Sequence, residues 1–169
     1  MARTPRTYEV IEEANNKIKM LVEKYPDLFW AIRPEQIAVY GVNNSERTDK
    51  SVEKDPTWAK LRNIKGVEKA AFQKHQIPTR YIIELYASDW NFWSESVRLI
   101  VLTEKLLEIT PDPDKKNSPD CIGFNVLFDA IGINWNRKDP ALIPNLLQQD
   151  VEFNLDLRPG LDTEEGDDI

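Results

Sequence analysis

With 169 residues, one cysteine and one histidine, the chain can close no internal disulfide and cannot supply the Cys and His ligand sets of a structural zinc site. Its length suits a single core, an apolar content of 41% with five Trp supplies that core, and no apolar run approaches the roughly 20 residues that span a bilayer. The formal charge of -7 falls wholly in residues 150–169, which hold eight acids and one base, whereas residues 1–149 hold 21 of each. The expectation is one α+β domain over 1–149, an acidic and flexible C-terminal tail over 150–169, no membrane contact and a cytoplasmic location.

From about Tyr8, residues Ile11, Ala14, Ile18 and Leu21 recur at helical spacing, and Pro26 stops the run, which predicts a first amphipathic helix. Residues 37–42, rich in β-formers between Pro34 and the polar Asn43-Asn44-Ser45, predict a strand. Residues 43–56 read as a loop, and residues 58–64 as a second, exposed strand that Gly66 ends. Residues 80–86, with Ile82, Ile83, Leu85 and Tyr86 interrupted only by Glu84, give the strongest strand pattern and predict a central strand. From Ser94, a natural N-cap, to Pro111 the chain is apolar on most sides, which predicts a helix buried in the middle of the domain. Ser118 and Pro119 are suited to open a third helix through Phe124, Leu127, Phe128 and Ile131, with Gly132 as its cap. A short last helix through Leu146 and Leu147 opens at Asp139-Pro140 or at Ile143-Pro144. At least three of the five Trp are expected in the core, and an exposed pair at Trp90 and Trp93 would instead mark a protein interface.

Few residues offer chemistry. His75 sits in a polar stretch with no adjacent carboxylate or cysteine, and Cys121 has the setting of a buried free thiol. No phosphate-loop, dinucleotide or nucleophile-elbow motif occurs among the six glycines. Glu84, Glu104, Glu108, Asp120 and Asp129 all lie on predicted ordered elements. Paired carboxylates holding a divalent ion such as magnesium, centred on Glu104 and Asp120, are one hydrolytic reading. Residues 47–80 carry nine Lys or Arg against four acids, interleaved with Trp58, Phe72 and Tyr81. Lys54, Trp58, Lys60, Arg62, Lys65, Lys69 and Arg80 are therefore candidate nucleic-acid contacts, with Trp58 and Tyr81 as stacking platforms.

The order of elements also points to a family. Tyr8, Lys24-Tyr25 and Leu28 on and after the first helix are followed by the 37–42 strand and by Trp58-Ala59-Lys60-Leu61-Arg62-Asn63-Ile64. Tyr81-Ile82-Ile83-Glu84-Leu85 then leads to Trp90, and Ser94-Glu95-Ser96-Val97-Arg98 opens an apolar helix. Together, over residues 7–148, these resemble the phage metallopeptidases, an SprT-like zincin group. The resemblance implies a small, mainly antiparallel sheet of about three strands packed on a buried central helix with flanking helices. In that family the central helix carries H-E-x-x-H, and a third ligand follows before the next helix. Here Leu102-Thr103-Glu104-Lys105-Leu106-Leu107 occupies that place, with Thr103 and Leu107 at the two ligand positions and Asp120 near the third. Glu104 alone matches, and a glutamate without metal-bound water has nothing to activate. It is either the remnant of such a site or a glutamate on a partly exposed helix face.

The expectation is accordingly a protein without catalysis, metal or cofactor that acts by binding a macromolecule. A host or phage protein is the first partner, with inhibition of a host defence nuclease, as anti-CRISPR proteins do, as one such role. Nucleic acid bound through residues 47–80 is the alternative, and a carboxylate-metal hydrolase the third reading.

Overall fold

The computed structural model describes residues 5–43, 49–112, 115–119 and 123–160. The chain runs through β1 (Thr7–Val10), α1 (Glu12–Lys24), a 3-10 turn (Pro34–Gln36), β2 (Ile37–Asn43), α2 (Asp49–Lys54) and β3 (Ala59–Asn63). It continues through α3 (Gly66–Lys74), β4 (Tyr81–Tyr86), α4 (Ala87–Phe92), α5 (Glu95–Leu107) and α6 (Asn125–Ile131), then short 3-10 turns. This is an α+β domain with one sheet in the order β1-β2-β4-β3. The pairs β1–β2 and β3–β4 are antiparallel, and β2–β4 is parallel. The connection explains the parallel pair: α2, β3 and α3 all lie between β2 and β4, and parallel neighbours need a long crossover.

The strongest strand pattern is indeed interior. Tyr81, Ile82, Ile83 and Leu85 of β4 are buried, as a strand flanked on both sides and covered by helices requires. Leu61 of β3 pairs with Ile83, and Val39 of β2 pairs with Ile83 from the other side, so these three buried side chains share the face against α5. The remaining expected strand, residues 58–64, becomes the edge strand β3.

Strand β1 is a correction. Residues 7–10, read as the start of the first helix, pair with Tyr40 to Asn43 of β2 instead, and α1 begins at Glu12. All four residues of β1 are exposed, so it carries no apolar alternation for a sequence reading to detect. The turn into α1 is fixed by Ile11 N–H donating to the Val39 carbonyl at 2.9 Å and by Asn15 Oδ1 accepting from Val39 N–H at 3.0 Å. Within the expected loop 43–56 lies α2, and residues 66–74, given no element beyond Gly66 as the stop of a strand, form α3. Gly66 has φ +58°, a left-handed turn that glycine makes without a side-chain clash.

Helix α5 follows the sequence closely. Ser94 Oγ accepts from Val97 N–H at 3.4 Å, and Val97, Leu99, Ile100, Val101, Leu102, Leu106 and Leu107 are all buried. Each such aliphatic side chain removed from water stabilises by about 1.5–3 kcal/mol, so α5 and the sheet face it covers are the centre of the core. Helix α6 starts later than expected: Ser118 and Pro119 are exposed and outside it, and Phe124, fully buried, has the extended backbone that precedes Asn125. Gly132 ends it at φ +90° as its position suggests. The short last helix is reduced to a 3-10 turn, Pro140–Leu142, with Asp139 Oδ1 accepting from Ala141 N–H at 3.0 Å.

The division at residue 149 is shifted by the structure. Tyr25 OH donates to the Leu146 carbonyl at 2.6 Å, and Lys24 Nζ donates to the carbonyl of Gln149 at 2.6 Å. Phe153 meets the Tyr25 ring edge-on at 5.1 Å between centroids. Arg158 donates to the Asp27 carbonyl and lies over the Trp30 ring. Residues 150–158 thus form a strap across the C-terminal end of α1 and the turn beyond it, and of the expected tail only residues 161–169 lie outside the described residues.

Candidate nucleic-acid interface

Residues four apart on a helix share a face, and the face of α5 that holds Thr103 and Leu107 points into the core. Thr103 is 0% exposed and Leu107 is 3% exposed. The two positions at which the resembled family carries metal ligands therefore hold a sealed hydroxyl and a packed leucine, and among the described residues the Thr103 Oγ1 meets no hydrogen-bond partner. Asp120 lies outside the described residues. Among the described residues no cluster of three His, Cys, Asp or Glu side chains converges as a metal site would. His75 is exposed at the C-terminus of α3.

Glu104 differs from its neighbours. It is half-buried and faces a cavity of about 440 Å³, walled by Phe128 and Trp135 and rimmed by Lys54, Asn134, Asn136 and Arg137. Burial pushes its carboxyl above the ordinary 4.5; Lys105 pulls it back, while Glu108 and Asp55 add to the rise. The folded chain therefore holds this proton at pH values where the unfolded chain has released it, so the cost is absent well below 4.5, grows as pH rises from 4.5 through the raised folded value, and is constant above it. Glu104→Gln is expected to raise the Tm at about pH 7 and to leave it unchanged at about pH 4. Thermal unfolding at both values checks this, and an equal Tm at neutral pH would mean that the carboxylate is well solvated.

The basic segment divides into committed and open groups. Arg62 is committed: its guanidinium donates to Glu68 at 2.8 Å and to Glu84 at 3.3 Å, and these hydrogen bonds, Glu68 foremost, raise its pKa. Trp58 is half-buried against Tyr86, with ring centroids 4.8 Å apart, and Tyr81 is 5% exposed, which corrects its expected role as a stacking platform. Lys54 and Lys60 are exposed. Lys65, Lys69 and Arg80 come together around a second cavity, of about 300 Å³, that lies between α3, the end of β3 and the residues just before β2 and β4. Phe72, Ile77 and Pro78 give it an apolar wall, Gln36 and Gln73 add amides, and no acidic residue is among its described lining.

Sequence reasoning missed Lys116. It belongs to the charged linker after α5, yet a bridge between Ile109 and Lys116 folds that linker back, and Lys116 Nζ donates to the Leu61 carbonyl of β3 at 2.5 Å. Burial lowers its pKa, Glu108 opposes that, and Lys60, Lys65 and Lys105 lower it further. Lysines from β3, the turn after it, α5 and the linker thus lie close enough to act on one another, with Glu108, ion-paired with Lys105 at 3.5 Å, among them. The Lys115-Lys116 pair is the only signal in the sequence, and it stands some fifty residues from the segment it joins.

Compared with known proteins, the chain matches no family model, no curated protein and no solved structure. The resemblance to the phage metallopeptidases rests on the residues quoted for it.

Proposed function

We propose that this protein works by binding nucleic acid and performs no covalent chemistry of its own. The observation that carries the reading is the acid-free cavity in which Lys65, Lys69 and Arg80 converge. Cations placed together without carboxylate partners repel one another, and a phosphate backbone relieves that repulsion while releasing its own counterions. The apolar wall and amides beside these cations suit the sugar and base edges that accompany phosphate. Lys60 and Lys116 lie near this cavity's lysines, while Lys105 is paired with Glu108 at 3.5 Å and adds little free charge. The Arg62 guanidinium, held between Glu68 and Glu84, stiffens this face and adds no free charge.

Fluorescence anisotropy with a labelled oligonucleotide over rising salt tests the reading. Affinity is expected to fall steeply between roughly 50 and 200 mM salt, and Lys65→Ala, Lys69→Ala and Arg80→Ala are each expected to reduce the logarithmic salt slope by about one. Loss of slope in Arg62→Ala but in none of the three would move the interface elsewhere, and no binding even at low salt would remove the reading. A macromolecular protein target, such as a host defence nuclease, predicts a different result: a stoichiometric protein recovered by pull-down whose capture is insensitive to these three substitutions.

A further inference from the structure

Among the described residues, neither a hydrogen bond nor an ion pair reaches the Glu104 carboxylate, although burial dominates its surroundings. The Glu104 side chain is half-buried and its carboxylate oxygens still reach solvent, so it is a partly desolvated acceptor that a donor could satisfy better than water does, and it opens on a cavity whose volume of about 440 Å³ falls within the roughly 300–1,000 Å³ of small-molecule sites. The cavity therefore suits an occupant of defined chemistry, one that presents two hydrogen-bond donors side by side to the carboxylate oxygens.

We propose that this cavity receives an unpaired guanine base, with Glu104 accepting from its N1–H and N2–H. Guanine is the one common base that carries two adjacent donors on its pairing edge. Adenine and cytosine each offer one amino group beside an acceptor nitrogen, and thymine or uracil offers one N–H between two carbonyls, so each sets an acceptor against a carboxylate oxygen. Phe128, half-buried in the cavity lining, offers an apolar ring, and Trp135, 3% exposed, backs that lining from the core, which suits a base ring. Asn134 and Asn136 at the rim carry amide donors of the kind that the O6 and N7 acceptors of guanine require. Lys54 and Arg137, both exposed on the same rim, balance the charges of Glu104 and Asp55. That balance disfavours an amine or guanidinium as the occupant and favours a neutral base joined to phosphate.

The inference deepens the nucleic-acid reading by naming a base and requiring it to be unpaired, since duplex guanine has its N1–H and N2–H engaged. A paired set of measurements keeps the two separable. Single strands of roughly twelve nucleotides, inside the size range of single-strand sites, are compared by anisotropy: thymine throughout, or with one central guanine or adenine. The guanine strand is expected to bind about tenfold more tightly than the other two, the size of preference that a good bidentate contact gives. Glu104→Gln, which presents an N–H to a donor, is expected to erase the preference while leaving affinity for the thymine strand intact. Its Tm, expected to equal or exceed that of the parent, shows that the fold survives, and Glu104→Asp serves as a second variant if it does not. Equal affinity for all three strands, or a guanine preference that survives both variants, would overturn the inference while the salt-dependent binding still stood. Calorimetry with dGMP and dAMP covers the opposite case: dGMP bound through Glu104, with no strand bound, would keep the guanine site and remove the nucleic-acid reading.

Discussion

Placing histidine at both Thr103 and Leu107 is expected to destabilise the domain severely and not to build a zinc site. Both positions lie on the sealed face of α5. Thr103→His forces a larger ring into a site with no exposure, and Leu107→His replaces core packing with a polar ring that needs a partner. Overpacking of about 1–3 kcal/mol and burial of unpartnered polar groups of similar or larger size add to roughly 3–8 kcal/mol, against the 5–15 kcal/mol that holds a typical domain together. The two sites are one helical turn apart, so the sum is not strictly additive. Urea unfolding of the double variant with and without zinc measures it. A lowered midpoint indifferent to the metal is expected, whereas a midpoint that rises with zinc concentration would show that the helix can present this face to an ion.

Phe124→Ala is expected to cost about 3–5 kcal/mol, the usual range for an aromatic ring removed from a well-packed core. Phe124 is 0% exposed, and its carbonyl accepts from Leu127 N–H and Phe128 N–H at 3.0 Å each, so the residue both fills the core and starts α6. Its loss leaves a void that neighbouring Leu127 and Val126, themselves buried, cannot close without moving the helix. Phe92→Ala is the matched control: that ring is 90% exposed, and its removal is expected to stay within about 0.5 kcal/mol. Urea midpoints with unchanged m-values would confirm that the difference is packing. A small effect at Phe124 would mean that α6 collapses readily onto the gap.

The elements that a sequence reading finds here are those whose burial leaves a periodic trace. β4 has almost no polar residue, α5 is apolar nearly all round with Ser94 at its start, and α6 ends where Gly132 allows a positive φ. β1 and α3 leave no such trace because none of their residues is buried. β1 is specified by its partner β2, and α3 by the turn at Gly66 and the Glu68 link to Arg62. Of the tryptophans, Trp90 and Trp135 are core residues, Trp93 packs at the core margin, and Trp30 is more than half exposed. The basic segment was visible as a count of charges, but its division was not. Arg62 is tied up by carboxylates six and twenty-two residues away, Lys116 arrives from a different segment, and neither relation is encoded locally. The cavity at Glu104 is likewise built from α5, the turn after α6 and the residues after α2, three parts of the chain that only tertiary packing brings together.

The strap of residues 150–158, with the Leu146–Gln149 turn that leads into it, has a consequence for the birth of the molecule. Its anchors, Lys24, Tyr25, Asp27 and Trp30, belong to the first fifth of the chain, and the hydrogen bonds that join them to the strap span 121 to 131 residues. As the polypeptide leaves the ribosome from its N-terminus, α1 and β2 emerge long before the segment that clasps them. Until residues 146–158 emerge, the Tyr25 and Trp30 rings lack the Phe153 and Arg158 partners they have in the folded chain. Contacts of such long range close late and slowly, so the clasp cannot form until residues 146–158 have left the ribosome.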